Sequence, residues 1–378
     1  MPPEVIDLAH TEDSRDVVHR AVQALVEGRL VAFPTETVYG VAASALDERA
    51  VMRLVEVKER KPGHALPLAI KSADEARDYA PDMSPLAQRL ARRCWPGPVT
   101  LVVDDSHPES LVRQLPAKVQ EAVSPESTVG LRVPGHRVIL DVLRMLAGPL
   151  ALSSANRSGQ PDAVTAGEVI DALGEHLGLV LDDGPCRFGQ PSSVVQVKDD
   201  QYEILRPGVV PEKTLRRLST AMVLLVCTGN TCRSPMAEIS LREMLAKRLD
   251  LSIEEVDDPK SGRPGVIVMS AGIAAMMGGR ASHEAVETMA RLGLDLRGHE
   301  TQPLTETLVR HADTIWTMTR SHREAIVAQW PDAAERTALL SLDGSDIVDP
   351  IGGPPERYQR CASQIRFALE ARLDEFDF

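Results

Sequence analysis

VLLVCTGNTCRSPMAE, residues 223–238, decides how the second half of this chain is read. An apolar run ends in Cys227, a short polar loop follows, and helix-forming residues begin at about Pro235. Backbone N–H groups at a helix start have no partner within the helix and point outward, and the helix dipole adds to their field. A strand–loop–helix junction is therefore an anion site. Gly229 lets the loop curl so that successive N–H groups converge. Arg233 can fork two hydrogen bonds onto an oxyanion. Cys227 sits in the same positive field, which favours the thiolate. Such a thiolate can attack a bound phosphorus in line while the loop holds the equatorial oxygens. A leaving group then needs an acid. DIVDPIGGP (346–354) offers Asp346 and Asp349, and Asp349 is the expected acid, then the base for hydrolysis of the phosphocysteine. A lone cysteine packs more often than it reacts. It is Cys-x5-Arg-Ser between strand and helix, with an Asp-Pro downstream, that points to chemistry.

Working outward, the pattern from Val223 alternates. VIVMSA and DTIWTMT read as strands, HEAVETMARLG as a helix closed by Gly293, SHREAIVAQW as another, and PERYQRCASQIRFALEARL as the last. Alternation of this kind predicts an α/β unit with a parallel sheet covered on both faces. Upstream, RLVAFP (29–34), PVTLVVD (98–104) and STVGLRVP (127–134) read as strands. ERAVMRLVEVKER (48–60) and RVILDVLRMLAG (137–148) read as helices, and residues 192–208 as two strands about Lys198-Asp199-Asp200. The two prolines and basic patch of PGVVPEKTLRRLSTAM mark a boundary. Domains are expected at 1–210 and 222–378, with a linker at 211–221.

A chain of 378 residues suits two or three domains. The net charge of -13 argues against a general nucleic-acid or membrane-surface binder, so neither direct DNA binding nor membrane association is expected. Cysteines at 94, 186, 227, 232 and 361 make no disulfide framework and suit a reducing cytosol. The start, MPPEVIDLAH, has no signal-peptide pattern. A cytoplasmic location is the expectation.

The second half, over about 223–375, resembles the low-molecular-weight protein-tyrosine-phosphatase family, which includes related arsenate reductases. CTGNTCRSPMAE, the SAGI at 270–273 and the Asp-Pro at 349–350 carry the resemblance. It implies a doubly wound parallel sheet, with Cys227 as nucleophile, Arg233 as phosphate clamp, Ser234 as hydroxyl donor to the thiolate and Asp349 as acid. It also implies Asn230 and His299 as supports of the loop, although an exposed loop histidine is an equal reading of His299. No cofactor is implied. Tyrosine-specific members carry a bulky aliphatic residue where this chain has Thr231, and CTGNTCRS is similar to the bacterial protein-arginine phosphatases. Phosphoarginine on proteins is favoured as substrate, phosphotyrosine next. Ile351 replaces the usual aromatic after Asp-Pro. Cys232 either forms a reversible disulfide with Cys227 under oxidation or simply packs.

The first half scatters polar clusters at expected strand ends: PTETVYG (34–40), KERKPGHALPL (58–68), WPGPVTLVV (95–103), STVGLRVPGH (127–136), LSSANRSG (152–159), DDGPCRFGQPSSVV (182–195) and ILRPG (204–208). They hold hydroxyls, cations and glycines that suit a small polar substrate plus a polyphosphate. Each alone is ordinary turn chemistry. In this order they resemble the threonylcarbamoyl-AMP synthase family, the Sua5/YrdC/TsaC group with its twisted α/β sheet, over about residues 10–210.

That family makes threonylcarbamoyl-AMP from L-threonine, bicarbonate and ATP, for t6A at position 37 of tRNAs reading ANN codons. tRNA-modification partners are thus implied indirectly. The resemblance places Lys58, Arg60, Thr128, Asn156 and Arg206 on ATP. It places Thr37, Arg132, Ser154 and Ser192 on threonine. Mg2+ is expected with ATP, and no residue is assigned to a metal. The chain departs from the family pattern at Lys61, at Ala69 after Leu68, at Pro191-Ser192-Ser193 and at Asp162-Ala163-Val164. The expected protein is a bifunctional enzyme. The rival reading is a nucleotide- or RNA-binding module without catalysis, fused to an arsenate reductase-like thiol domain.

Overall fold

The computed structural model describes residues 2–60, 63–257 and 265–373. Its contacts divide the chain into two units, Met1–Ser219 and Thr220–Phe378. Lys61 and Pro62 lie outside the described residues.

The strands of the first unit are β1 (Glu4–Asp7), β2 (Val31–Phe33), β3 (Gly40–Ser44), β4 (Leu68–Ala69), β5 (Val99–Asp104), β6 (Thr128–Arg132), β7 (Leu150–Ser154), β8 (Leu179–Asp182), β9 (Ser193–Lys198) and β10 (Gln201–Arg206). They form one mixed sheet in the order β1-β8-β2-β3-β7-β4-β6-β5-β9-β10. Strands β2, β3 and β4 are short and almost wholly apolar and buried, as strands covered on both faces are. The helix Glu48–Val57 starts where the Asp47 carboxylate accepts from the N–H groups of Arg49 and Ala50. It buries Ala50, Val51 and Leu54 and stops at Lys58. Register then gathers the polar clusters. Gly40 pairs with Ser154, Ala69 with Arg132, and Val99 with Ser193. The expected linker instead holds a helix, Glu212–Ser219, whose Leu215 is buried. Arg93 of the helix Pro85–Cys94 donates to the Leu218 carbonyl at 2.7 Å. Two prolines mark the bend before this helix, not a free tether.

The second unit has β11 (Ala221–Cys227), β12 (Val266–Gly272), β13 (Thr314–Thr317) and β14 (Thr337–Leu339), in the order β12-β11-β13-β14. All three pairings are parallel. Alternate residues of β11 enter two cores. Val223, Leu225 and Cys227 pack with Met236, Leu241, Met289 and Ile365, while Met222, Leu224 and Val226 pack with Val309 and Ile326. Strand period and two-sided cover together make a doubly wound layer. β11 has neighbours on both sides, reached in opposite directions, so its C-terminal end is the switch point where such sheets bind ligands. Cys227 is the last residue of β11.

Candidate active sites

In the second unit, the loop Thr228–Cys232 runs from β11 into the helix Arg233–Leu249. Asn230 holds its shape. It is fully buried and adopts φ +55°, a left-handed conformation that asparagine tolerates better than most residues. Its Oδ1 accepts from Gln302 N–H at 2.9 Å, which fixes the orientation of the amide. Its Nδ2 donates to Ser234 Oγ at 3.0 Å and to Ser270 Oγ at 2.9 Å. Ser270 passes its own proton to Glu238, whose carboxyl is pushed upward by burial. Ser234, already accepting, turns its proton to Cys227 Sγ at 3.0 Å, and Asn230 N–H also donates to the sulfur at 3.2 Å. Two hydrogens therefore point at Cys227, the arrangement that suits a thiolate.

The rest of the expected set converges here. His299 Nε2 meets the Asn230 carbonyl at 2.9 Å, so it braces the loop. Arg233 is buried, and its Nη2 donates to Asp349 Oδ2 at 2.5 Å. Asp346 instead accepts from Arg320 N–H at 2.9 Å, which leaves Asp349 as the carboxylate at the clamp. Thr231 is half-buried, with its hydroxyl 3.6 Å from Cys232 Sγ. Cys232 is a buried free thiol beside Ser282 Oγ at 3.3 Å and Tyr358 OH at 3.7 Å. The SAGI glycine has a steric reason: a Cβ on Gly272 would stand 2.6 Å from the Thr228 carbonyl and 2.8 Å from Asn230 N. His322 was not singled out by sequence, because it looked like one polar residue of an amphipathic helix. It is buried against Thr228, with Nε2 to Oγ1 at 2.9 Å.

In the first unit, a cavity of about 520 Å³ is lined by Lys58, Arg60, Thr128, Arg132, Ser154, Asn156, Ser192 and Arg206 among others. Eight of the nine expected residues thus meet in one space. Lys58 Nζ donates to the Ser154 carbonyl at 2.9 Å, to Asn156 Oδ1 at 2.8 Å and to the Asn156 carbonyl. Ser154 Oγ also donates to Asn156 Oδ1, at 2.6 Å. Burial, and then Arg60, bring the Lys58 ammonium down to about 8 against the pull of Asp162. All three of its hydrogens are engaged, so it acts as a fixed charge. Arg60 and Arg206 are each held below their ordinary values, first by burial; Arg206 adds to the effect on Arg60, and Arg132 to that on Arg206. Arg206 Nη2 donates to the Ser192 carbonyl at 2.9 Å, and Ser192 Oγ lies 3.1 Å from Thr100 Oγ1. Ser192 therefore seats an arginine expected on ATP, although it was itself expected on threonine. A Cβ on Gly208 would collide with the Pro191 carbonyl, so LRPG needs its glycine for this approach.

Thr37 is the ninth. It is fully buried and does not line the cavity. Thr35 Oγ1 donates to the Val38 carbonyl at 2.6 Å, so Thr37 Oγ1 must give its proton to Thr35, at 2.8 Å, and accepts from Arg132 Nη2 at 2.9 Å. Its hydroxyl supports Arg132, while Thr35 takes the place on the wall. The same Arg132 nitrogen meets Glu36 Oε1 at 2.6 Å, and Glu36 Oε2 accepts from Gly135 N–H at 2.7 Å. Arg132 Nη1 has no hydrogen-bond partner among the described residues. Sequence gives no sign of either Glu36 or Thr100: Glu36 sits between two threonines of PTETVYG, and Thr100 is one polar residue in an apolar strand.

Among the described residues no group of three or more His, Cys, Asp or Glu could hold a metal ion, and no helix is long and apolar enough to cross a membrane. Residues 23–208 match a family model described as telomere recombination, the Sua5/YciO/YrdC model. Residues 222–377 match low molecular weight phosphotyrosine protein phosphatase. A putative threonylcarbamoyl-AMP synthase of Mycobacterium tuberculosis is 35% identical over 207 residues, 55% of this chain and 91% of that protein. The threonylcarbamoyl-AMP synthase of Pyrococcus abyssi is 36% identical over 192 residues, 51% of this chain and 54% of that protein, so the chain spans about half of that relative's length. The structure of P. abyssi Sua5 complexed with L-threonine has a TM-score of 0.51 at 24% identity, covering 72% of this chain and 92% of that one, which is a likeness of fold.

Proposed function

We propose, for a chain that belongs to the threonylcarbamoyl-AMP synthase family and carries a low-molecular-weight phosphatase domain as its second unit, that both units are catalytic. The first would join L-threonine, bicarbonate and ATP into threonylcarbamoyl-AMP, destined for t6A in tRNA. The observation that supports this is the gathering of four cations, Lys58, Arg60, Arg132 and Arg206, on one cavity of an acidic protein.

In this reading Arg132 Nη1 takes the threonine carboxylate. The amine, carboxylated by bicarbonate with loss of water, presents a carbamate oxygen to the α-phosphorus. That oxygen forms the new O–P bond as the bond to the bridging oxygen breaks and pyrophosphate leaves. Arg60, Arg206 and the fixed charge of Lys58 offset the charge that develops on it. The donor set fits an Mg2+ carried by ATP: without an acidic cage among the described residues, the ion would be held by phosphates and water, as Mg2+ commonly is. Bound there, it would neutralise phosphate charge. The test is pyrophosphate release with ATP, threonine and bicarbonate. Release that depends on all three and is lost in Lys58→Ala supports the reading; its absence rejects catalysis in favour of a binding module.

The second unit would hydrolyse phosphorylated protein side chains. Cys227 attacks phosphorus and Asp349 protonates the leaving atom. Asp349 then takes a proton from the water that frees phosphate and thiolate. Phosphoarginine is the preferred substrate, phosphotyrosine next. The supporting feature is Thr231, which brings a small side chain and a hydroxyl where an aliphatic residue would fill the cradle. Matched phosphoarginine and phosphotyrosine peptides test it: Thr231→Ile should move preference toward phosphotyrosine, and an unmoved ratio rejects the assignment.

A further inference from the structure

We propose that His322 is a positioning residue of the dephosphorylation reaction, clamping Thr228 and with it the open end of the phosphate cradle. This rests on the reading of the second unit as a phosphatase. Thr228 directly follows the nucleophile. Its carbonyl accepts from Ala274 N–H at 2.9 Å, and its hydroxyl lies 2.9 Å from His322 Nε2. The other ring nitrogen, Nδ1, lies 2.8 Å from Thr319 Oγ1, at the cap of the helix Arg320–Gln329. The imidazole is thus gripped at both ends and buried.

Two histidines then brace one loop. His299 meets the carbonyl of Asn230, and His322 meets the side chain of Thr228. Between them lies Gly229, where an added Cβ would meet Thr231 Oγ1 at 3.6 Å. Residues 228 and 230 are pinned, so the peptide between them is held in one orientation. An oxyanion site works through donors fixed before the charge arrives.

The ring is neutral at ordinary pH. Burial first, and then Arg233, bring it down to about 4, and the opposing pull of Asp346 and Asp349 does not offset them. A neutral ring has one N–H and one lone pair, so it can link the two hydroxyls by giving to one and receiving from the other. A phosphate dianion on Arg233 would offset one cause of the shift, and the ring should then take up a proton more readily.

The experiment uses the whole chain and a chromogenic aryl phosphate. Glutamine places its amide near the position of Nε2, and asparagine near that of Nδ1. His322→Gln should keep the Thr228 contact and stay within about threefold of wild-type kcat, while His322→Asn falls about tenfold or more at a similar melting temperature. Thr228→Val should show a comparable fall, and the Thr228→Val/His322→Asn double variant should be no worse than the poorer single. By NMR, the ring should titrate near pH 4 and move upward with saturating inorganic phosphate. The proposal is overturned by equal kcat in the asparagine and wild-type proteins, by additive losses in the double variant, or by a ring that titrates at its ordinary value and ignores phosphate. Failure of the phosphatase reading itself looks different: the wild-type chain would then show no turnover while His322 still titrates low.

Discussion

The two sites are built on opposite plans. In the second unit one loop, Cys227 to Ser234, holds nucleophile, clamp and supports, and distant residues brace it or, as Asp349 does, meet its clamp. In the first, the wall runs from Thr35 to Arg206, and no short stretch contains more than a few of its members. The compact plan places reactive groups by local backbone geometry. The dispersed plan places them by sheet register, where Gly40 meets Ser154 and Val99 meets Ser193. A compact site should therefore fail sharply at single residues. A dispersed site should weaken substrate by substrate.

The largest effect expected is at Cys227. Cys227→Ser should lower phosphatase turnover by at least about 10³-fold, since serine at this position has no comparable anionic form. Turnover within tenfold of wild type would break the claim that one loop carries the chemistry. Next is Asn230→Ala, which removes three side-chain hydrogen bonds and leaves alanine at φ +55°. A loss of about 2–4 kcal/mol in urea unfolding of the second unit is expected. A loss below about 1 kcal/mol would mean that the network is ornament.

In the dispersed site, Arg132→Lys keeps the charge and removes the fork. KM for threonine should rise about 10–100-fold with a smaller change in KM for ATP. An equal rise in both would deny Arg132 a private substrate. The smallest effect concerns pH. Lys58 loses its proton at about 8, below its ordinary 10.5, because burial penalises the ammonium. Positive charge in the free enzyme fades as pH rises through 8, so kcat/KM for ATP should fall a few-fold by pH 9, and Lys58→Arg should flatten that limb. The sign for stability is the reverse. Between about 8 and 10.5 the unfolded chain holds the proton and the folded one does not, so stability rises with pH across that window. A pH profile identical in Lys58→Arg would detach Lys58 from ATP.

Sequence and structure agree most closely where the signal is local. Helix and strand ends fell within a few residues of expectation: Arg233 against Pro235, Arg320 against Ser321, and Glu48 as expected. Roles assigned across strands agree less. Thr37 lies off the cavity wall and supports Arg132, and Ser192 lines the cavity and also seats Arg206. Glu36, Thr100 and His322 carry no signal of their own, because a polar residue reads the same in sequence whether it faces water or a partner far along the chain.

The sequence alone determined the two α/β units, the anion-binding loop with Cys227 and Arg233, and the list of cations and hydroxyls. Those follow from strand and helix periods, from the unpaired N–H groups of a helix start, and from residue chemistry. Tertiary structure decided which of Asp346 and Asp349 reaches Arg233, which nitrogen of Arg132 stays open, and which hydroxyls are consumed inside the fold. The reason is directional: a hydrogen bond has a donor, an acceptor and a fixed reach, and only the folded chain says which atoms come within it.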